Sequence, residues 1–163
     1  MNRMKGFTLV ELMVVLAILA IVAFIAVPNF TTLVRDNRVE AQAEELNALF
    51  QYARSEAVIR KIDTFVTINA TTGEISVRPT TETNTEILRT STIDVNTVSL
   101  DVSATTVSYR SNGTTTTPGF KAVLCNQNNA DTGRLLTISA SGSTTLHHKG
   151  KDSNGTALGS CSA

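Results

Sequence analysis

The amino-acid sequence predicts an α+β protein in which a long N-terminal α-helix, with a transmembrane half and an amphipathic half, packs on an antiparallel β-sheet head domain. Three observations predict this fold. An apolar run extends from Leu12 to Val27, an amphipathic pattern with helical spacing follows it, and from Ile62 the composition changes to Thr, Ser, Val and Ile punctuated by Gly and Asn. The 163 residues leave room for one small domain beyond the apolar run.

Charge and motifs exclude several classes of function. The chain has no net charge, since 14 Lys and Arg residues balance 14 Asp and Glu residues, so a nucleic-acid partner would need a local basic patch. The sequence contains no P-loop, no GxSxG, no HExxH and no acidic cluster suited to metal catalysis. We therefore expect neither an enzyme nor a cofactor or metal site.

The segment 7–30 is the predicted membrane helix. It would be about 36 Å long as a helix, which is enough to cross a bilayer. Arg3 and Lys5 precede it, and the positive-inside rule places this end in the cytoplasm and the residues after the segment across the membrane. A cleaved secretory signal peptide is the alternative, but the apolar run has no small-x-small cleavage site and Glu11 interrupts it.

Glu11 is the unusual residue of this segment. A carboxylate in the hydrocarbon region costs about 2–4 kcal/mol, which indicates that Glu11 has a partner. If the chain were cut after Gly6, the new α-amino group of Phe7 would carry a positive charge in the same membrane layer, where a neighbouring copy could pair it with Glu11. The alternative is a plain membrane anchor with a chance glutamate.

Residues 5–12, with the sequence KGFTLVEL, resemble the type III signal of type IV pilins and of the pseudopilins of type II secretion. The resemblance implies that residues 1–6 are a leader peptide and that a prepilin peptidase cleaves between Gly6 and Phe7 and methylates the Phe7 amine. It also implies that Glu11 neutralises the N-terminus of the adjacent subunit during assembly. The membrane helix would then become part of a filament core.

The segment 31–61 is predicted to continue the helix as its amphipathic half. Pro28 removes a helix hydrogen bond and clashes with the preceding turn, so we expect a kink or local melting there. Glu56 and Arg60 have the spacing of an i,i+4 ion pair, and the charged face as a whole is interpreted as solvated, with specific contacts as the alternative. The apolar residues recur at steps of three and four: Val39, Ala43, Leu46, Phe50, Ala53 and Ala57, with Leu49 and Val58 beside them.

Residues 62–163 are the predicted β-rich head domain. One buried face of its sheet is expected to cover the apolar stripe of the helix. Residues 80–85 and 126–133 are predicted loops, and 149–159 is predicted to be irregular. The expected strands are Thr64–Asn69, Glu74–Arg78, Glu86–Ile93, Val98–Val102, Thr106–Arg110, Phe120–Cys125, Arg134–Ala140 and Thr144–His148.

Cys125 and Cys161 are the two cysteines of the chain. They are far apart in sequence, with neither a CxxC spacing nor a histidine cluster of the metal-finger type, so a disulfide is the leading interpretation and two reduced thiols are the alternative. A disulfide would stabilise the fold by about 3–4 kcal/mol in the chain-entropy estimate and would indicate an oxidising compartment.

Three further stretches, ARSEA at 53–57, VSYRSNG at 107–113 and GRLLTISASG at 133–142, are similar to the GspH/FimT family of minor pilins and pseudopilins. Tyr109 departs mildly from this pattern, in which phenylalanine is more usual. The resemblance implies the type IV pilin-like fold. It also implies a low-abundance structural subunit of a type IV pilus, near the filament tip, that initiates assembly or joins other minor subunits.

The same resemblance implies the partners and the location. The partners would be the prepilin peptidase and other major and minor pilins or pseudopilins. The chain would cross the bacterial inner membrane once before assembly, with its head domain in the periplasm, and would then enter a pilus or pseudopilus filament. One alternative is a type II secretion pseudopilin of the protein H type.

The second alternative is a minor pilin that binds DNA during natural transformation. Phosphate contacts require clustered basic side chains. His147 and His148 are adjacent in a predicted strand, where they would point to opposite faces. The candidate residues are Lys121, Arg134, His147, His148, Lys149 and Lys151.

Overall fold

The computed structural model describes residues 8–79 and 86–163, with only the backbone of residues 28 and 29. The described residues form one helix, α1 (Leu9–Arg60), followed by eight strands. The predicted leader and the predicted loop 80–85 lie outside the described residues. The strands are β1 (Thr64–Ile68), β2 (Glu74–Arg78), β3 (Arg89–Thr92), β4 (Val98–Val102), β5 (Thr106–Tyr109), β6 (Phe120–Asn126), β7 (Asn129–Ile138) and β8 (Thr144–Leu146).

The strands form two antiparallel sheets. The order is β3-β2-β1-β5 in the first sheet and β4-β6-β7-β8 in the second. In the first sheet, Val66 of β1 lies opposite Val77 of β2 and Val107 of β5. In the second sheet, Leu124 of β6 lies opposite Leu100 of β4. All of these side chains are buried, so each sheet turns one apolar face toward the core.

The apolar stripe of α1 and the apolar faces of both sheets form one core. Phe50 of the helix packs against Phe120 of β6, with ring centroids 5.3 Å apart. Leu49 is buried as expected, whereas Val58 is 46% exposed because it follows the stripe by one position and lies about 100° around the helix. The predicted stripe is confirmed, since each member is at most 1% exposed: Val39, Ala43, Leu46, Phe50, Ala53 and Ala57.

One predicted loop is wrong. Residues 126–133, which a polar cluster marked as a loop, form the end of β6, a two-residue turn and the first half of β7. Gln127 and Asn128 have φ values of 49° and 61°, the left-handed conformation that a type I′ hairpin turn requires. Asn126 pairs directly with Asn129 across this turn. The sheet therefore continues through residues whose composition is typical of loops.

Other strand ends differ from prediction by one to three residues. β1 and β5 each end one residue early, and β7 ends at Ile138, two residues early. β3 begins at Arg89, three residues later than expected, and β8 ends at Leu146, two residues earlier. The segment after β8 is irregular as predicted, with turns and one isolated bridge between Lys151 and Ala157.

The chain divides into two compact units, Met1–Arg35 and Asp36–Ala163. The described part of the first unit is the beginning of α1. Its backbone stays helical through Pro28, so the helix does not melt there. The kink expected at this proline stays a prediction.

Candidate functional site

The N-terminal end of α1 is closed by a reciprocal cap between Thr8 and Glu11. The Glu11 amide donates a hydrogen bond to the Thr8 hydroxyl at 3.2 Å, and the Thr8 amide donates to a Glu11 carboxylate oxygen at 3.4 Å. This arrangement is a capping box, which satisfies backbone donors at the start of a helix. This capping role of Glu11 was not predicted. The signal for it in the sequence is the T-x-x-E spacing before an apolar run. The predicted cleavage site between Gly6 and Phe7 lies outside the described residues.

The first half of α1 exposes apolar side chains on all sides. The most apolar 18-residue stretch of α1 has a mean hydropathy of 3.0 and none of it is buried. Phe24, for example, is 83% exposed. By its length and composition this helix can cross a membrane.

Arg54 fastens the second half of α1 to two turns of the head. Its Nε donates a hydrogen bond to the Gly113 carbonyl at 2.9 Å, and its Nη2 donates to the Ser141 carbonyl at 3.0 Å. The two turns also touch each other, because a Cβ on Gly142 would lie 2.1 Å from the carbonyl oxygen of Gly113. The structure thus brings together the three stretches of sequence that resemble the GspH/FimT family.

Several charged residues of α1 contact the head, so the interpretation of this face as merely solvated is wrong. Glu45 accepts a hydrogen bond from the Ser91 hydroxyl of β3 at 2.6 Å. The predicted ion pair between Glu56 and Arg60 is confirmed, with 2.6 Å between Glu56 Oε2 and Arg60 Nε. The contacts with the head were hard to predict because their partners are distant in sequence.

Two of the predicted DNA-contacting cations are held by carboxylates of α1. Arg134 Nη2 of β7 lies 3.0 Å from a carboxylate oxygen of Glu40, and Lys149 Nζ lies 2.7 Å from one of Asp36. The Arg134 side chain is only 12% exposed. Because the neighbouring carboxylates offset their charges, these two residues contribute little to a basic patch.

The remaining candidates lie mostly in one cleft after β8. His147, His148 and Lys151 line it together with Asp152. The His147 Nε2 atom and the Thr137 hydroxyl lie within hydrogen-bonding distance, at 2.9 Å, and partial burial lowers the pKa of His147 below its ordinary value of 6.5. The cleft therefore carries little positive charge from His147 at neutral pH.

Cys125 and Cys161 form the predicted disulfide bond. Cys125 lies on β6, and Cys161 lies in the irregular segment after β8. The bond therefore ties this segment to the second sheet. Among the residues that the structure describes, no group of three or more His, Cys, Asp or Glu side chains could hold a metal ion.

Two family matches cover most of the chain. Residues 1–27 match the prokaryotic N-terminal methylation motif, and residues 42–142 match the type II transport protein GspH. The chain belongs to the GspH family. This membership confirms the resemblance to pilins and pseudopilins that the sequence stretches indicated.

Solved structures of a minor pilin and of a minor pseudopilin share the fold. The type IV minor pilin FimU of Pseudomonas aeruginosa is 26% identical with a TM-score of 0.65, over 77% of this chain and 96% of FimU. The minor pseudopilin EpsH of the Vibrio cholerae type 2 secretion system is 15% identical with a TM-score of 0.55, over 68% of this chain and 96% of EpsH. The predicted type IV pilin-like fold is therefore confirmed.

Curated relatives match this GspH-family chain over a shorter length. Two fimbrial proteins of Pseudomonas aeruginosa are each 42% identical over 55 residues, which is 34% of this chain and 36% of each relative. The chain thus spans about a third of the length of the curated relatives it matches.

Proposed function

We propose that this GspH-family protein is a minor pilin of a type IV pilus, a structural subunit that helps to initiate filament assembly near the tip. The observation that carries the proposal is the likeness to the type IV minor pilin FimU, which extends over 96% of that structure. The likeness to the pseudopilin EpsH is lower in both identity and TM-score, so a type II secretion pseudopilin is the second candidate.

The proposed division of the chain follows from this role. Residues 1–6 are the leader, 7–30 the transmembrane and later filament-core helix, 31–61 the amphipathic helix and 62–163 the periplasmic head. The exposed apolar surface of the first half of α1 supports this division, because it requires either lipid or other apolar helices around it. The disulfide supports a periplasmic head, since disulfides persist in oxidising compartments.

Processing would prepare the N-terminus for assembly. The prepilin peptidase would hydrolyse the peptide bond between Gly6 and Phe7 and methylate the new amine, which carries a positive charge. Thr8 and Glu11 already hold each other at the start of α1, so the Glu11 carboxylate stays at the end of the helix where a neighbouring subunit's amine would lie. In an apolar surrounding the Coulomb attraction between these charges is far stronger than in water, and it offsets part of the cost of desolvating them.

Glu11 both caps the helix and carries a charge, so a test of the charge pair must leave the cap intact. Glutamine also serves at this position of a capping box, so Glu11→Gln keeps the cap and removes the charge. We expect the Glu11→Gln protein to insert in the membrane normally but to be strongly depleted from sheared filaments, and Thr8→Val, which removes the cap alone, to be incorporated nearly normally. Immunoblots of membrane and filament fractions measure both. Normal incorporation of Glu11→Gln would contradict the charge-pair role.

A deletion strain distinguishes the two filaments. Loss of this protein is expected to reduce surface pili, counted by electron microscopy, and to leave secretion of type II substrates intact. The reverse result would favour the pseudopilin.

DNA binding stays a prediction outside this proposal, because Arg134 and Lys149 are engaged with α1. Retention of labelled DNA by the protein at low salt, lost at high salt, would support it.

A further inference from the structure

Residues 149–163, which the structure describes in full, form a C-terminal strap across the second sheet. The Gly150 amide donates a hydrogen bond to the Gly133 carbonyl of β7 at 2.8 Å, and the Ala163 amide donates to Asp101 of β4 at 3.0 Å. Between these points, the disulfide joins Cys161 of the strap to β6. The strap therefore crosses the sheet from β7 over β6 to β4.

The strap covers the face of this sheet that points away from α1. Val123, Cys125 and Leu135 form a small apolar cluster separate from the main core, and Leu158 and Cys161 of the strap pack against it. The three strand residues are at most 4% exposed. The residues before and after Val123 belong to the main core instead, because successive side chains of a strand point to opposite faces of the sheet.

Gly133 allows the strap to lie this close to the sheet. A Cβ at this position would lie 2.8 Å from both Cys125 Sγ and a Leu158 methyl carbon. The conflict is steric alone, because Gly133 does not have the left-handed backbone that disfavours other residues. A side chain at residue 133 would therefore displace the strap from the second sheet.

Contacts other than the disulfide hold the strap weakly. None of residues 149–163, all described, is fully buried. The ion pair of Lys149 with Asp36 is half exposed on the lysine side, and such pairs contribute little. Segments with few buried apolar contacts open at low free-energy cost, so the covalent bond is the main fastening of the strap.

We propose that the strap is a redox-controlled cover: reduction of the Cys125–Cys161 disulfide releases residues 149–163 and uncovers the apolar face formed by Val123 and Leu135, while the rest of the head stays folded. The inference does not depend on which filament the protein joins. In the oxidised head the strap covers this apolar face, and in the reduced head the face is exposed.

The reductant is a dithiol, such as that of a thiol–disulfide oxidoreductase. Its thiolate attacks the sulfur of Cys161, which is partly exposed, and the S–S bond breaks with Cys125 leaving as a thiolate that takes up a proton. The second thiol of the reductant then attacks the mixed disulfide, frees Cys161 as a thiol and leaves the reductant oxidised. Two electrons and two protons pass to the protein.

Thiol alkylation of the full chain in detergent micelles tests the release. After reduction with dithiothreitol, iodoacetamide is added and the modification of each cysteine is followed by mass spectrometry. We expect Cys125 and Cys161 to react at similar rates, because the strap no longer shields Cys125. Rapid reaction of Cys161 with persistent protection of Cys125 would show that the strap stays seated, which overturns the proposal.

Hydrogen exchange on the same sample shows whether the release is local. The amides of the strap are expected to lose protection on reduction, while those of residues 39–57 of α1 keep theirs. Loss of protection in both regions would mean that the disulfide holds the whole head together, and the proposal of a detachable cover would be overturned.

A pair of glycine variants tests, without reduction of the disulfide, how closely the strap packs on the sheet. In oxidised protein, Gly133→Ala is expected to increase exchange at the Leu158 amide, which otherwise donates to the Gly150 carbonyl at 2.9 Å. Gly159→Ala is the matched control, because nothing lies within 4 Å of its Cβ position. Equal exchange in the two variants would contradict the close seating of the strap over Gly133.

Discussion

The two halves of α1 have the same secondary structure but opposite surroundings. Phe24 in the first half is 83% exposed, whereas Phe50 in the second half is fully buried. The first half carries apolar side chains on every side, and the second carries them on one stripe. The comparison shows that the pattern around a helix, more than its helical propensity, determines what covers it.

Charged residues also serve different purposes in the two halves. Between Leu9 and Val27, Glu11 is the single charged residue of the sequence, and it caps the helix. In the second half, charged side chains such as Arg54 and Glu40 fasten the helix to the head. The second half thus finds its partners within the chain, whereas the described apolar side chains of the first half are exposed.

The same substitution in each half gives the sharpest contrast. Phe50→Ala is expected to lower the free energy of unfolding of the head by about 3–5 kcal/mol, because it leaves a cavity beside Phe120. Phe24→Ala removes an exposed side chain, so the head should change by no more than about 0.5 kcal/mol. Denaturant unfolding of the full chain in micelles, followed by circular dichroism, measures both. Equal effects of the two substitutions would contradict the difference in burial between the two halves of α1.

The fastening role of Arg54 predicts a smaller effect. Arg54→Ala is expected to cost about 2–3 kcal/mol, since it removes charge-assisted hydrogen bonds to the Gly113 and Ser141 carbonyls in a partly buried site. Arg60→Ala is the control, because its i,i+4 pair with Glu56 lies at the helix surface and should contribute little to stability. Comparable losses in the two variants would mean that the Arg54 contacts add no more than a surface pair.

The sequence predicted the parts of this fold that depend on local patterns. The burial stripe of α1 follows from spacing alone, and the described strands begin at the expected residues apart from β3, which starts late, and β7, which starts early. The pairing of Cys125 with Cys161 followed from their number and spacing. Periodicity and composition are local properties, so one sequence is enough to read them.

Contacts between distant segments could not be predicted in the same way. The pairs of Glu40 with Arg134 and of Asp36 with Lys149 join residues that are far apart in the sequence, and no local signal connects them. The hairpin at Gln127 and Asn128 was missed for a different reason. Polar residues usually indicate a loop, and here their tolerance of a left-handed backbone closes a two-residue turn.

The interior beneath the second half of α1 contains a buried phenol. Tyr109 of β5 is fully buried, and its hydroxyl has no hydrogen-bond partner among the residues that the structure describes. Burial raises the pKa of this phenol well above its ordinary value of 10.0. A hydroxyl that is buried without a protein partner carries a desolvation cost.

Tyr109→Phe removes that hydroxyl and keeps the ring. We expect the free energy of unfolding to stay equal or to rise by up to about 1 kcal/mol, the opposite direction from Phe50→Ala, because the unsatisfied oxygen is lost without leaving a large cavity. Tyr52→Phe is the matched control, since Tyr52 is only partly buried on the surface of α1, beside Arg89. Unfolding in denaturant compares the two variants. A loss of more than about 1 kcal/mol in Tyr109→Phe would indicate that the hydroxyl has a partner, such as a buried water.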